Sequence, residues 1–334
     1  MTSSNSEPPR RLGEFAMIAK LFAPLAAKAE GAFGLLDDVA TLRVPEGEEL
    51  VAKVDAVVEG VHFLRADPAD LVARKALRVN LSDLAAKGAL PTGYLLSLSV
   101  APWCDDDWLA RFAAGLADDQ ERYGIALLGG DTTATPGPLT ISVTALGAIA
   151  AGKTIRRGGA RPRDRVFVSG TIGDAGAGLK VLSGGGGRLR EADRAALIAR
   201  YRLPEPRLAL GCRLIGLASA ALDVSDGLIA DLGHIAEVSH VRIVIDAAQV
   251  PLSKAFVALW GEGRDAGLRA ATAGDDYEIA FTAPAAARPA IAAAASAAGV
   301  PVREIGWVEE GEGVVLLDAN GKPIPVDRPG FTHF

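Results

Sequence analysis

Apolar and polar positions along this chain switch between two periods, one near 3.6 residues and one of 2, which are the signatures of helix and strand. Residues 13–29 carry Phe15, Ile18, Ala19 and Phe22 at helical spacing, and the pattern predicts a helix there. Strand-like runs follow at 50–58, broken by Lys53 and Asp55, at 94–100, at 125–128 and at 139–149, which is rich in β-branched residues. Helical patterns at 68–87 and 105–123 lie between them. The segment 152–164, GKTIRRGGARPRD, interrupts this order with Gly, Arg and Pro and reads as a domain boundary. Beyond it the chain restarts with a strand at 165–169, a Gly-rich turn and a helix from Ala175. Further strands are predicted at 220–224, 242–246, 277–282, 302–308 and 313–317, with helices between most of them. The four glycines at 184–187 read as a connector.

These elements predict an α/β (α+β) protein of two domains. A disordered tail spans 1–11, an N-terminal β-sheet domain 12–151 and a C-terminal α/β domain 152–334. The length of 334 residues agrees, because it exceeds what one hydrophobic core usually serves. Residues 285–300 are mostly alanine, interrupted by Arg288 and Pro289, and read as a surface helix and not a membrane span. The polar N-terminus lacks the apolar core of a signal peptide, so a cytoplasmic protein is expected.

Charge narrows the chemistry. The formal net charge is −6 without a basic block, which disfavours nucleic acid as a partner. An acidic chain that handles anionic phosphates needs a cationic intermediary, and a divalent metal is the natural one. The two cysteines, Cys104 and Cys212, stand far apart and read as two buried thiols.

The informative feature is where the aspartates stand. Asp37 and Asp38 follow an apolar run, Asp55 interrupts a strand and Asp83 lies in a helical segment. Asp131 closes LLGG, Asp223 and Asp226 flank Ser225 at a strand end, and Asp275, Asp276 and Glu278 precede a strand. Any one of these is most simply a cap or turn former. As a set they point to carboxylates converging at strand ends, which stay ionised together only with a counter-charge. Hard oxygen donors suit magnesium, which takes one or two carboxylates plus phosphate oxygens and water. Asp231 reads as a solvated helix residue. The G-x-G-x-x-G signature is absent. The run 169–179, SGTIGDAGAGL, offers backbone N–H groups to an anion, but close strand-to-helix packing is the simpler use. Among the histidines, His62 stands out, seven residues beyond Asp55 in VEGVHF.

Taken in order, the segments DDVA (37–40), VEGVHF (58–63), VNLSDLAAKGA (79–89), GGDTT (129–133), Arg157 with GGARPRD, DVSDGLIADLGHI (223–235), GDDYE (274–278) and GFTH (330–333) resemble the thiamine-monophosphate kinase family. That family belongs to the aminoimidazole-ribonucleotide-synthetase-like superfamily. The resemblance implies a magnesium-dependent kinase that uses ATP to convert thiamine monophosphate to thiamine diphosphate by direct in-line transfer. It implies a homodimer whose N-terminal domains pair into a barrel, with ATP in a groove between domains. It also implies site residues: several Mg2+ ions on Asp38, Asp55, Asp83, Asp131, Asp223 and Asp226; ATP on Gly130, Asp131, Arg157 and Ser225; thiamine phosphate on His62, Asp275 and Phe331. The chain departs from the family pattern at Lys53-Val54, where Ser-Thr is usual, at Ala134-Thr135-Pro136 after GGDTT, and at Ala273 before GDDYE. Two alternatives stay open: another ATP-using synthetase of the superfamily, and a non-catalytic nucleotide-binding protein.

Overall fold

The computed structural model describes residues 12–332, so the expected tail at 1–11 and His333 lie outside the described residues. The chain divides into two compact units. One comprises the chain up to Asn80 together with Pro91–Ala148, and the other Leu81–Leu90 with everything from Ile149 onward.

The first unit is built on a four-stranded sheet of β1 (Glu48–Val58), β2 (Leu90–Val100), β3 (Leu127–Ala134) and β4 (Thr140–Ala150), in the order β1-β4-β2-β3. In β4 the period of 2 is plain: Ile141, Val143 and Ala145 are buried while their neighbours are half-exposed. The helix Asp106–Tyr123 begins at Asp105, whose side chain accepts the N–H of Trp108, and ends at Gly124 in the left-handed region. Its Asp119 is fully buried against Arg78 and Arg74, with N–O distances of 2.6 and 3.0 Å. Both arginines come from the helix Ala69–Lys87.

Two elements differ from the sequence reading. The single helix expected at 13–29 is a short α-turn, Glu14–Met17, then a wide π-turn, Ile18–Phe22, then a 3-10 turn, Ala23–Ala26. Pro24 has no N–H to donate, and a regular helix does not run through it. The strand expected at 125–128 begins at Leu127 and runs on through GGDTT to Ala134, pairing in parallel with β2 from Leu95↔Gly129 to Val100↔Ala134. As an edge strand, β3 needs no continuous apolar face, so its polar second half gave no strand signal. Asp131 therefore stands inside a strand opposite Ser97 and does not close one.

The second unit holds a six-stranded sheet of β5 (Arg165–Ser169), β6 (Ala220–Asp223), β7 (Arg242–Asp246), β8 (Ile279–Ala283), β9 (Val302–Glu309) and β10 (Gly313–Leu317). The order is β10-β7-β9-β5-β8-β6, antiparallel except for the parallel pair of β7 and β10. Both faces are covered, and β5 is buried from Val166 to Ser169. Val166 and Val168 of β5 join one core with Ile243, Ile305, Leu228, Leu232 and Phe256. Phe167, between them, points to a second core with Phe281, Ile279, Leu210 and Ile291. The Phe167 and Phe281 rings stack with centroids 5.2 Å apart. This is the mixed α/β architecture that the sequence predicts.

Cys104 is buried as expected, but Cys212 is only partly so, because it stands just past the short helix Leu208–Gly211. Among the described residues, no helix is long and apolar enough to cross a membrane.

Candidate active site

In the second unit, three separate segments are joined by main-chain hydrogen bonds at the end of β6. Val224 N–H donates to Glu278 O at 2.8 Å, Tyr277 N–H to Val224 O at 2.7 Å, Asp275 N–H to Ser225 O at 2.7 Å and Phe331 N–H to Asp226 O at 2.9 Å. The approach is close: a Cβ on Gly274 would lie 2.6 Å from Ser225 O, so only glycine fits there. Asp223, Ser225, Asp226, Asp275 and Phe331, five of the residues singled out in the sequence, are thereby gathered in one place. Asp223 is buried, Ser225, Asp226 and Asp275 are half-buried, and the Phe331 ring is exposed.

The turn between Gly274 and Tyr277 is held in a costly conformation. Asp275 and Tyr277 both take positive φ, 69° and 52°. Each such residue costs on the order of 1–3 kcal/mol and persists only where the surrounding structure over-determines the backbone. Tyr277 Oη donates to Asp275 Oδ1 at 3.3 Å, and Ser82 Oγ reaches Tyr277 O at 3.5 Å. Ser82 is the neighbour of Asp83, so that turn of the helix Ala69–Lys87 lies against the same loop. Lys87, one turn further on, donates to Ala221 O at 2.7 Å.

Three buried acids support this loop: Asp276 and Glu278, which the sequence reading placed in the converging carboxylate set without a ligand role of their own, and Asp231, which it read as solvated. Glu278 is fully buried and accepts from Arg207 Nε at 2.7 Å, Arg200 at 2.9 Å and Ser169 Oγ at 2.6 Å. Asp276 accepts the N–H of Gly173 at 2.6 Å and of Ala175 at 3.3 Å. Burial pushes its carboxyl well above the usual range, against the pull of Arg200 and the two N–H groups. The Gly-rich run 169–179 therefore gives N–H groups at its turn to the chain's own Asp276. Asp231 corrects the sequence reading. It is 3% exposed, and its Oδ2 accepts the N–H groups of Ser225, Asp226 and Gly227 at 2.9, 3.0 and 3.1 Å. Burial first, and the charge of Asp226 second, raise its pKa to about 7 although these three donors oppose the shift. The signal was present: Asp231 stands three residues after Leu228 and four before Ile235, on the apolar stripe of the helix Leu228–Ser239.

In the first unit, Asp38, Gly130 and Asp131 line one cavity of ≈ 800 Å³, together with Asp37, Leu36 and Leu96. Gly130 is required there, since a Cβ would fall 1.8 Å from Leu96 O. Asp38 and Asp131 are exposed. Asp55 and His62 are not part of that lining. Asp55 lies on β1, where its N–H donates to Asn80 Oδ1 at 2.8 Å and its carboxylate pairs with Lys53 at 3.0 Å. His62 Nδ1 accepts the N–H of Val58 at 3.0 Å, so a neutral ring carries its proton on Nε2. Arg157 is exposed in the segment that leads into β5.

The donor set fits a hard divalent cation in chemistry, because the candidate ligands are carboxylate oxygens. It is not a ready cage: among the described residues, no group of three His, Cys, Asp or Glu side chains stands close enough to hold a metal ion. Phosphate oxygens and water must then complete any magnesium shell.

Comparison with known proteins gives two family matches: residues 36–149 to AIR synthase related protein, N-terminal domain, and residues 161–318 to its C-terminal domain. The thiamine-monophosphate kinase of Caulobacter vibrioides is 45% identical over 323 residues, covering 96% of this chain and 90% of that protein. That of Escherichia coli K12 is 41% identical over 328 residues, covering 96% and 98%. Among solved structures, thiamine-monophosphate kinase from Stenotrophomonas maltophilia K279a superposes with a TM-score of 0.82 at 41% identity, over 94% of this chain and 98% of that one. A structure described as AaThiL complexed with AMPPCP and TMP gives 0.75 at 34% identity, over 97% and 99%.

The buried ion pairs and the exposed ones make opposite predictions. Glu278→Gln leaves two arginines facing a neutral amide and is expected to cost about 3–5 kcal/mol in urea unfolding. Glu304→Gln, which breaks the partly exposed pair with Arg288, is expected to cost no more than about 1 kcal/mol. Equal costs for the two would contradict this assignment.

Proposed function

The chain belongs to the AIR synthase related family and, within it, to the thiamine-monophosphate kinases, and on that premise we propose how its residues carry out the transfer of a phosphoryl group from ATP to thiamine monophosphate. The observation that carries the reading is the gathering of Asp223, Ser225, Asp226, Asp275 and Phe331 by four main-chain hydrogen bonds in the second unit. The sequence similarity extends over 96% of the chain.

The acceptor is a phosphate monoester, whose second pKa is about 6, so its attacking oxygen is already largely ionised near neutral pH. A general base is not required. The barrier lies in bringing two anions together and aligning them. Mg2+, held by Asp38, Asp55, Asp83, Asp131, Asp223 and Asp226 with the ATP phosphates, would supply charge neutralisation and in-line alignment. Gly130 and Asp131 border a cavity with room for a nucleotide. The N–H of Ser225 is engaged by Asp231, so Ser225 meets ATP through its hydroxyl. Arg157, exposed to solvent, places a guanidinium at the phosphates.

On the acceptor side, the exposed Phe331 ring offers a face to the cationic thiazolium, and Asp275 offers an opposite charge. His62 presents Nε2–H to the acceptor phosphate. Transfer is direct, without a phosphorylated enzyme. Thiamine diphosphate and ADP leave. The organisation into an N-terminal domain at 12–151 and a C-terminal domain at 152–334 is retained as a functional division. The protein acts as a homodimer through the sheet of the first unit. In support, β1 and β2 expose Leu50, Val54 and Leu95.

The testing assay mixes the protein, ATP and Mg2+ with thiamine monophosphate or with a panel of other phosphomonoesters. The expected outcome is thiamine diphosphate from the first alone, abolished by EDTA. ADP formation that does not depend on the acceptor, or a preference for another monoester, would contradict the reading. The pair of Lys53 and Asp55 gives a second prediction. A divalent ion at Asp55 must displace the Lys53 ammonium, so Lys53→Met is expected to lower the Mg2+ concentration for half-maximal activity by roughly threefold or more. An unchanged or raised requirement would show that Lys53 does not compete with the cation.

A further inference from the structure

Asp231 does more than end a helix neatly. It lies in the first turn of the helix Leu228–Ser239, buried, and one oxygen takes three consecutive N–H groups, those of Ser225, Asp226 and Gly227. Successive N–H groups that converge in this way form a nest, a concavity that elsewhere binds an anion from outside. Here the chain fills its own nest. The three N–H groups are closed to phosphate, so residues 225 and 226 reach a ligand only through their side chains.

The carbonyl side of the same short segment carries the rest of the loop assembly. Ser225 O accepts the N–H of Asp275, and Asp226 O accepts that of Phe331. Each peptide unit is planar, so a carbonyl cannot hold its direction if the N–H groups around it lose theirs. Gly227, at φ 133°, makes the sharp entry to the helix and adds no side chain to steady the turn. The Asp231 carboxyl oxygen Oδ2 is the acceptor that the three N–H groups share.

We infer that Asp231 is a positioning residue for the phosphoryl transfer: its single buried oxygen orients the backbone from which both the nucleotide-side groups, Ser225 and Asp226, and the acceptor-side groups, Asp275 and Phe331, are hung. This rests on the reading under Proposed function and adds to it a residue that touches neither substrate. It also explains why a charged residue stands on the apolar stripe of its helix.

The test compares two replacements of similar size in the full chain. Asp231→Asn keeps an oxygen that can accept the three N–H groups, and Asp231→Leu keeps none. Amide exchange at residues 225–227 is measured together with KM for Mg-ATP and for thiamine monophosphate, at a temperature well below each variant's unfolding midpoint. The Leu variant is expected to lose exchange protection at the three amides and to raise both KM values by on the order of tenfold or more, with kcat reduced. The Asn variant is expected to stay within about threefold of the parent. A control, Ile243→Ala, empties part of the core of the same unit and should lower the unfolding midpoint while leaving both KM values unchanged. The inference is overturned if the folded Leu variant keeps parental KM values, or if the Asn variant is as impaired as the Leu variant. A parent chain that forms no ADP with acceptor present would instead sink the kinase reading, and amide exchange then decides: retained protection at 225–227 in the Leu variant contradicts the role given to Asp231.

Discussion

A carboxyl group withdrawn from water needs a counter-charge or a set of hydrogen-bond partners, and this chain, rich in acids, meets that constraint in two different ways. Its deeply buried acids are answered from within. Asp119 has two arginines, Glu278 has two arginines and a serine, Asp276 has two main-chain N–H groups and Asp231 has three. Asp38, Asp131 and Asp226 are left more open, on a cavity in one unit and on the gathered loops of the other. An acid that the fold has already neutralised cannot also serve a metal and a polyphosphate. Among these seven acids, the division between the two groups is the division between scaffold and candidate site.

The loops themselves depend on backbone more than on side chains. The segments after β6 and before β8, and the stretch at Phe331, are joined by amide-to-carbonyl bonds, which hold their geometry whatever side chains the loops display. The left-handed turns at Asp275 and Tyr277 cost free energy in isolation. They persist because Asp276, between them, is bound into the turn before the helix Asp174–Leu182, and because Glu278 is clamped by Arg200 and Arg207. Strain stored at this loop is thus balanced by the buried polar bonds of Asp276 and Glu278.

Much of this was legible in the sequence, for identifiable reasons. Strands buried on both faces, such as β5 and β7, announce themselves as short apolar runs, and the helices Ala69–Lys87 and Asp106–Tyr123 by their period. The aspartates beside glycine at 223–227 and 274–276 marked the loops that the structure joins. The second half of β3 was not legible, because an edge strand can be polar on both faces. Neither were the inward roles of Asp231, Asp276 and Glu278. Whether a carboxylate points to solvent or to a donor is settled by partners remote in sequence: Ser169 and Arg207 lie 109 and 71 residues from Glu278. For Asp231 the partners are local, and its place among leucines and isoleucines was the clue.

The central claim is that the open carboxylates accept a nucleotide only when divalent cations accompany it. The direct measurement is calorimetric titration of the full chain with a non-hydrolysable ATP analogue, once with excess Mg2+ and once with EDTA. The account predicts saturable binding with Mg2+ and none measurable without it. Equal affinity under the two conditions would contradict it.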